Sequence, residues 1–268
     1  TFRCPFRLVC FHVAGVVLRC IGVGVRFVAN LLTGARAGVT VGRTFSLTIQ
    51  VKAADHFVRS GEFTGWTPRF YGQGIEGSRI GIVGMGAIGQ AVAQRLNGWG
   101  ADLIYSQPER LPVQHEQALG LSHTPLKMLL AQSDIVILAL ALNEQTLHTI
   151  NRETLTGMKP GAFLINPCRG SVVDEGSVLQ ALQSGQLGGY AADVFEMEDW
   201  AIEDRPREIA QGLRAHPNTL FTAHIGSAVS QVRLAIEQRA ARNILQVLRG
   251  GRPGDAINDP SGRESGPC

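Results

Sequence analysis

The stretch Arg79-Ile80-Gly81-Ile82-Val83-Gly84-Met85-Gly86-Ala87-Ile88-Gly89 decides the fold. Its first five residues read as a short buried strand. Gly84, Gly86 and Gly89 follow at Gly-x-Gly-x-x-Gly spacing, and Ile88, Val92 and Leu96 then recur every four residues, as on one face of a helix. A strand, a glycine loop and a helix in that order give the glycine pattern a mechanism, whereas glycines alone occur in many turns. Gly84 permits the tight turn, Gly86 lets the backbone approach a pyrophosphate, and Gly89 allows the helix to pack closely on the strand. The free N–H groups at the helix start, around Ala87 and Ile88, then face the phosphates.

Downstream, Asp102 to Tyr105 reads as the second strand and closes a βαβ unit. Continuous apolar runs recur at Asp134–Leu140, Ala162–Asn166, Tyr190–Val194 and Thr219–Thr222, as expected of parallel strands buried on both faces. Between them Val178 to Leu182 lies in a helix that Ser184 and Gly185 end. The alternation predicts an α/β fold, a doubly wound parallel sheet. A long helix is expected from about Ser227 to Leu248, with Val229, Val232, Ile236, Ala240, Ile244 and Val247 on its apolar face, followed by a mobile tail from Gly250. Upstream, Ala53 to Ser60 reads as the end of a helix and Gly61 to Pro68 as an aromatic loop.

Composition narrows the function. The chain has 268 residues, 44% of them hydrophobic and 18% charged, with a net charge of +3. That charge is too small to argue for nucleic acid, and no basic stripe with interleaved aromatics occurs. The five cysteines, Cys4, Cys10, Cys20, Cys168 and Cys268, show no Cys-x-x-Cys pair and no histidine at metal-ligand spacing. They predict no metal site and a reducing, cytoplasmic location. The apolar stretch from Leu8 to Leu32 contains Arg19 and Arg26, each costing roughly 2.5–3.5 kcal/mol near a bilayer centre, so it is not read as a membrane span. A first residue of Thr1 rather than Met reads as a truncated start, which argues against a signal peptide.

The fingerprint predicts an acid about 20 residues on, to bond the ribose of NAD. The end of the second strand reads Tyr105-Ser106-Gln107-Pro108-Glu109-Arg110. Gln107 occupies the acid's place and is neutral; Arg110 would attract the 2′-phosphate of NADP, or Glu109 would serve as the acid. These residues leave the choice between NAD and NADP open; the expected cofactor is NAD, with NADP possible.

Three further residues stand where loops leave the carboxyl ends of expected strands: Arg169, Glu198 and His224. An arginine fork holds two oxygens of an anion, a histidine moves a proton, and a carboxylate orients that histidine. Singly, each has a plainer reading: a surface arginine, a solvated glutamate, a histidine capping a helix.

The wording around them settles which reading to take. Asn166-Pro167-Cys168-Arg169-Gly170-Ser171-Val172-Val173-Asp174-Glu175, Asp193-Val194-Phe195-Glu196-Met197-Glu198 and Ala223-His224-Ile225-Gly226-Ser227 resemble the signatures of the D-isomer-specific 2-hydroxyacid dehydrogenases, in register from about residue 51 to 252. The resemblance implies that Arg169 binds the substrate anion, that His224 is the acid/base with Glu198 as its partner, and that Asp193 faces the nicotinamide carboxamide. It also implies cofactor contacts from Ala139, Leu140 and Ala141, from Pro167, Cys168 and Arg169, and from His224, Gly226 and Ser227. A homodimer is implied as well. Asp55 to Phe63, Gly188 to Trp200 and Asp204 to Arg207 are similar, nearly letter for letter, to the phosphite-oxidising (phosphonate dehydrogenase) branch. In that branch Asp-Trp follows the catalytic Glu, where other members usually have Pro. Trp66, Tyr71 and Arg233 fall at site-lining positions of that branch. The reaction implied is phosphite, NAD(P)⁺ and water giving phosphate and NAD(P)H, with His224 as base for the attacking water and Arg169 neutralising the phosphite oxygens. Two alternatives stand beside it: a D-2-hydroxyacid dehydrogenase resembling glyoxylate and hydroxypyruvate reductases, or a dinucleotide-binding fragment without turnover.

Residues 1 to 54 depart from the family. They contain no Asp or Glu, yet carry Arg3, Arg7, Arg19, Arg26, Arg36, Arg43 and Lys52. Leu8 stands where the register places a substrate-anchoring Lys. Family text resumes abruptly near Lys52, as a shifted reading frame would produce. The expected organisation is residues 1–50 as an anomalous remnant of an incomplete substrate domain, 51–225 as the dinucleotide-binding domain, and 226–268 as a C-terminal helix and tail returning to the substrate domain.

Overall fold

The run Ile135–Leu138 has no polar alternate position, so both of its faces need cover. The computed structural model, which describes residues 29–256, supplies that cover. Seven strands form one parallel sheet: β1 (Arg79–Val83), β2 (Asp102–Ser106), β3 (Leu121–His123), β4 (Ile135–Leu138), β5 (Ala162–Asn166), β6 (Leu187–Ala192) and β7 (Thr219–Phe221), in the order β3-β2-β1-β4-β5-β6-β7. Successive side chains of a strand enter opposite cores. Ile135 and Ile137 pack with Ile80, Ile82 and Ile165, whereas Val136 and Leu138 pack with Val83 and Leu164. Each such side chain, fully buried, contributes roughly 1.5–3 kcal/mol. The doubly wound expectation holds. Strand order reverses between β1 and β4, and ligands of such sheets bind in the crevice outside the strands' carboxyl ends at that reversal.

Helices α1 (Ala29–Thr48), α2 (Val51–Arg59), α3 (Ala87–Leu96), α4 (Val113–Leu119), α5 (Leu126–Gln132), α6 (Arg152–Thr156), α7 (Glu175–Gln183), α8 (Gln211–Ala215) and α9 (Ser230–Leu248) are the α-helices of the described residues. Helix α3 falls on the expected residues and buries Gly89, Val92, Ala93 and Leu96. Strand β6 begins three residues earlier than expected, at Leu187, because Gly188 and Gly189 conceal it. A Cβ on Gly188 would lie 2.2 Å from the Gly161 carbonyl oxygen, so the neighbouring chain itself requires glycine there.

The chain divides into two compact units. One spans Arg36–Gly226 and holds the sheet; the other joins the N-terminal residues up to Ala35 with Ser227 onward. In the second unit α9 buries Ile236, Ala240 and Asn243. The Asn243 amide and the Arg239 Nε both donate to Asp255 Oδ2 at 2.8 Å, and these partners hold the Asp255 carboxyl down to about 2. Val229, expected on the apolar face, is exposed and precedes the helix, which starts at Ser230. Leu8, Cys4, Cys10, Cys20, Cys268 and the tail beyond residue 256 lie outside the described residues. Among the described residues no helix is long and apolar enough to cross a membrane, and no group of three or more His, Cys, Asp or Glu stands ready to hold a metal.

Candidate active site

The expected catalytic residues all leave the carboxyl ends of adjacent parallel strands: Arg169 after β5, Glu198 after β6 and His224 after β7. His224 Nδ1 lies 2.7 Å from Glu198 Oε2. A carboxylate can only accept, so Nδ1 carries the proton and Nε2 is the nitrogen free to exchange one. Glu198 is itself fixed, because its Oε1 accepts the Phe195 N–H at 2.9 Å. Arg169, Gly170, Val194, Glu198, Asp199, Trp200 and His224 line one cavity of about 430 Å³.

Arg169 owes its place to its neighbours. Asn166, fully buried, donates its amide to the Arg169 carbonyl at 2.9 Å and accepts the Cys168 N–H at 3.1 Å. A Cβ on Gly170 would fall 1.9 Å from the Phe195 carbonyl carbon, so only glycine lets the Arg169 loop lie against the Glu198 loop. The Ser171 N–H then donates to Asp199 Oδ2 at 2.7 Å, closing the two loops on each other. Asp199 thus has a positioning role that sequence reading did not assign. Burial pushes the Cys168 thiol up to about 11, so it stays protonated and donates to Asn166 Oδ1 at 3.0 Å.

Asp193 organises the histidine. Three consecutive N–H groups converge on it: His224 on its carbonyl at 2.9 Å, Ile225 on Oδ1 at 2.9 Å and Gly226 on Oδ2 at 2.8 Å. They hold His224 at φ +52°, a left-handed conformation uncommon for a residue with a side chain and typical of functional sites. The Thr222 hydroxyl donates to Oδ1 at 2.6 Å, and the Arg43 guanidinium of α1 pairs with the same oxygen. Both side chains of that ion pair are 3% exposed. Arg43 also donates from Nε to Thr222 Oγ1 at 2.8 Å, while its Nη1 is buried without a hydrogen-bond partner. Desolvation pulls the Arg43 guanidinium below its ordinary pKa, and Asp193 offsets part of that effect. The carboxylate expected to face a nicotinamide carboxamide is therefore shared with Arg43, a residue whose role sequence reading missed.

The glycine loop fits a dinucleotide. Gly84 has φ +94°, and a Cβ there would meet the Ala139 carbonyl oxygen at 2.6 Å. A Cβ on Gly89 would lie 2.2 Å from the Gly84 oxygen, but around Gly86 nothing lies within 4 Å. Gly86 therefore answers to no neighbour in the protein, and it opens onto the space a pyrophosphate needs. Helix α3 starts there, presenting the unpaired N–H groups of Ala87, Ile88 and Gly89. Ala139, Leu140 and Ala141 after β4, and Pro167 and Cys168 after β5, sit at the same edge of the sheet.

Gln107, at the acid's place, accepts the Met85 N–H at 3.2 Å, tying the end of β2 to the glycine loop. Arg110 donates to both oxygens of Glu116, at 2.9 and 2.8 Å, and the Tyr105 hydroxyl donates to Glu116 as well. These partners hold the Glu116 carboxyl down to about 2. The expectation that Arg110 waits for a 2′-phosphate meets this pairing: the guanidinium already has a bidentate partner. Glu109 is exposed.

Two expected substrate-lining residues are not brought to the Arg169 cavity. Tyr71 lines a separate cavity of about 420 Å³ with Gly161, Gly188 and Asn218, which precede or begin β5, β6 and β7 and so mark the opposite edge of the sheet. Its segment is fixed there because the Gln50 amide donates to the Tyr71 carbonyl at 2.7 Å and Gln73 N–H to the Thr48 carbonyl at 2.9 Å. Trp66, in the same irregular segment, is 87% exposed. Arg233 and Ser227 belong to the second unit, Arg233 exposed on α9.

Residues 41–226 match the family described as D-isomer specific 2-hydroxyacid dehydrogenase, NAD binding domain. The chain is 38% identical over 242 residues to a glyoxylate reductase of Pyrococcus furiosus, spanning 88% of this chain and 69% of that one. It is 36% identical to the glyoxylate reductase of Thermofilum pendens, over 88% and 68% of the two chains. Among solved structures it resembles a glyoxylate reductase from Paecilomyes thermophila (TM-score 0.74, 30% identity, 85% of this chain and 66% of that one). It also resembles the NAD complex of a D-isomer specific 2-hydroxyacid dehydrogenase from Lactobacillus delbrueckii ssp. bulgaricus (TM-score 0.71, 27% identity, 84% and 69%). The chain belongs to the D-isomer-specific 2-hydroxyacid dehydrogenases, NAD-dependent oxidoreductases acting on small molecules.

Proposed function

We propose that the chain oxidises phosphite to phosphate with NAD, and that Arg169, Glu198 and His224 carry the reaction. The observation behind this choice of substrate is Glu198-Asp199-Trp200, together with the loop closure it permits: Asp199, where proline is usual, bonds Ser171 beside Arg169. When bound, the nicotinamide accepts the hydride. Arg169 holds the anion's oxygens through charge-assisted bonds. His224 takes a proton at Nε2 from the water that attacks phosphorus, while Glu198 keeps Nδ1–H oriented and supports the imidazolium that results. Trp200, 82% exposed, lines the same cavity beside Asp199.

A second reading is reduction of a 2-oxo acid such as glyoxylate, and the names of the relatives favour it. The same residues then serve with the proton reversed, His224 giving it to the carbonyl oxygen as hydride arrives. For either reaction NAD is the proposed cofactor over NADP, because Arg110 is engaged by Glu116. A homodimer is proposed from the exposed aromatics Phe63, Trp66 and Tyr71 on one segment, and sedimentation checks it.

Absorbance of reduced nicotinamide tests the choice. Phosphite with NAD should generate it, and glyoxylate or hydroxypyruvate should not consume it. The opposite pattern establishes the second reading. Cofactor binding without turnover on any of them identifies a silent dinucleotide-binding fragment.

A further inference from the structure

Helix α1 carries a second arginine toward the site, seven residues before Arg43. Seven residues bring a helix back to nearly the same face, about 10 Å further along its axis. Arg43 lies level with Thr222 and Asp193 at the carboxyl ends of β7 and β6, and Leu47, one turn later, lies back against Gly189 and Phe163 within the sheet. The helix therefore climbs past the strands' carboxyl ends as it is followed backward, and it raises Arg36 above them. The contacts agree: Arg36 Cγ lies 3.3 Å from where a Gly226 Cβ would stand.

Among the described residues no carboxylate forms an ion pair with Arg36, and Asp193 acts on it only through the longer-range attraction of its charge. Asp193 is engaged by Arg43, Thr222, Ile225 and Gly226. Glu198 holds His224, and Asp199 accepts Ser171. Among the described residues the Arg36 guanidinium donates no hydrogen bond. Burial and the like charge of Arg169 lower its pKa, and Asp193 opposes them. Arg36, Arg43 and Arg169 thus surround Asp193, which Arg43 already pairs, while the cavity's other carboxylates, Glu198 and Asp199, are taken up by His224, Phe195 and Ser171. Arg43 cannot relieve the excess, since its spare Nη1 is buried and unpaired. Removing charge from water without a partner is costly, and an anion between Arg36 and Arg169 supplies that partner.

We propose that Arg36 is a second anion-binding residue, converging with Arg169 on the cleft above Asp193 so that the small oxyanion is held between two guanidinium groups. The proposal rests on the reading that the site takes a small anion, and it identifies which residue of the N-terminal segment supplies the second cation. Because both arginines are present without the cofactor, the anion binds in its absence.

Calorimetric titration of the full chain with inorganic phosphite, and separately with oxalate, tests this without nicotinamide present. Wild type should bind both. Arg36→Gln should weaken them at least tenfold, Arg36→Lys should give an intermediate value, and Arg95→Gln, on the outer face of α3, should match wild type. Circular dichroism verifies that each variant is folded; if Arg36→Gln is not, the Arg36→Lys loss decides. Equal affinity in wild type and Arg36→Gln, or no binding by wild type at tens of millimolar, overturns the proposal. Turnover separates it from the functional reading. An unchanged phosphite or glyoxylate KM in Arg36→Gln refutes Arg36 alone. Loss of anion binding in Arg36→Gln with no turnover of either substrate by wild type refutes the functional reading alone.

Discussion

Replacing Arg43 with leucine exposes the energetics beneath the site. The Arg43 and Asp193 side chains are each 3% exposed, so deleting the guanidinium strands a carboxylate in the interior. Opening a buried pair from one side costs ~3–5 kcal/mol. Asp193 keeps its donors from Thr222, Ile225 and Gly226, which places the loss near the lower end, about 3 kcal/mol, or roughly 6–12 °C in Tm for a unit of this size. Leucine is a good helix former, so α1 itself is spared. Urea unfolding of Arg43→Leu, Asp193→Asn and the double variant gives the coupling, expected at ~2 kcal/mol or more, with the double variant more stable than the sum of the singles implies. A loss under ~1 kcal/mol with no coupling refutes the claim that Arg43 neutralises Asp193.

Glu175 is buried, and desolvation lifts its carboxyl from 4.5 to about 7, with Glu196, Glu198 and Asp199 adding to the rise and the Glu196 N–H opposing it. Its folded pKa exceeds the unfolded one, so its contribution is full below about 4.5 and is lost as pH rises through about 7. Glu175→Gln should therefore raise Tm at pH 8 by the equivalent of up to ~3 kcal/mol and leave it unchanged near pH 4.5; a pH-independent effect sinks this account. Gly86→Ala should leave thermal stability within about 1 kcal/mol yet weaken NADH binding at least tenfold by fluorescence titration, because its Cβ meets no protein atom. Gly89→Ala should lose both, because its Cβ would press on the Gly84 oxygen. If the two variants behave alike, the assignment of the pyrophosphate to Gly86 is wrong.

What the sequence revealed follows from where its signals are local. The β1–α3 junction and β5 are read to the residue, since an apolar run, a glycine loop and a four-residue repeat are all contained within a few turns of chain. Strand β3 is three residues long and too short to show a period. Helix α1 was not foreseen because its buried stripe is written partly in polar letters: Ala37, Thr40, Arg43, Thr44 and Leu47. Thr40 and Thr44 satisfy their hydroxyls on carbonyls one turn back, at 2.7 and 3.0 Å, and Arg43 is buried only because Asp193 arrives 150 positions later. The site divides the same way. Arg169, Glu198 and His224 are legible as loop residues after strands. Asp193 as the hub for three consecutive N–H groups, and Asp199 as the brace on Ser171, depend on distances that only the folded chain defines.

The central claim is that His224, held by Glu198, exchanges the proton that accompanies hydride transfer. Steady-state formation of reduced nicotinamide from phosphite, compared between wild type and His224→Asn, addresses it most directly. His224→Asn should bind NADH as wild type does and lose ~10²–10⁴-fold in kcat. Full turnover by His224→Asn at neutral pH would contradict the claim.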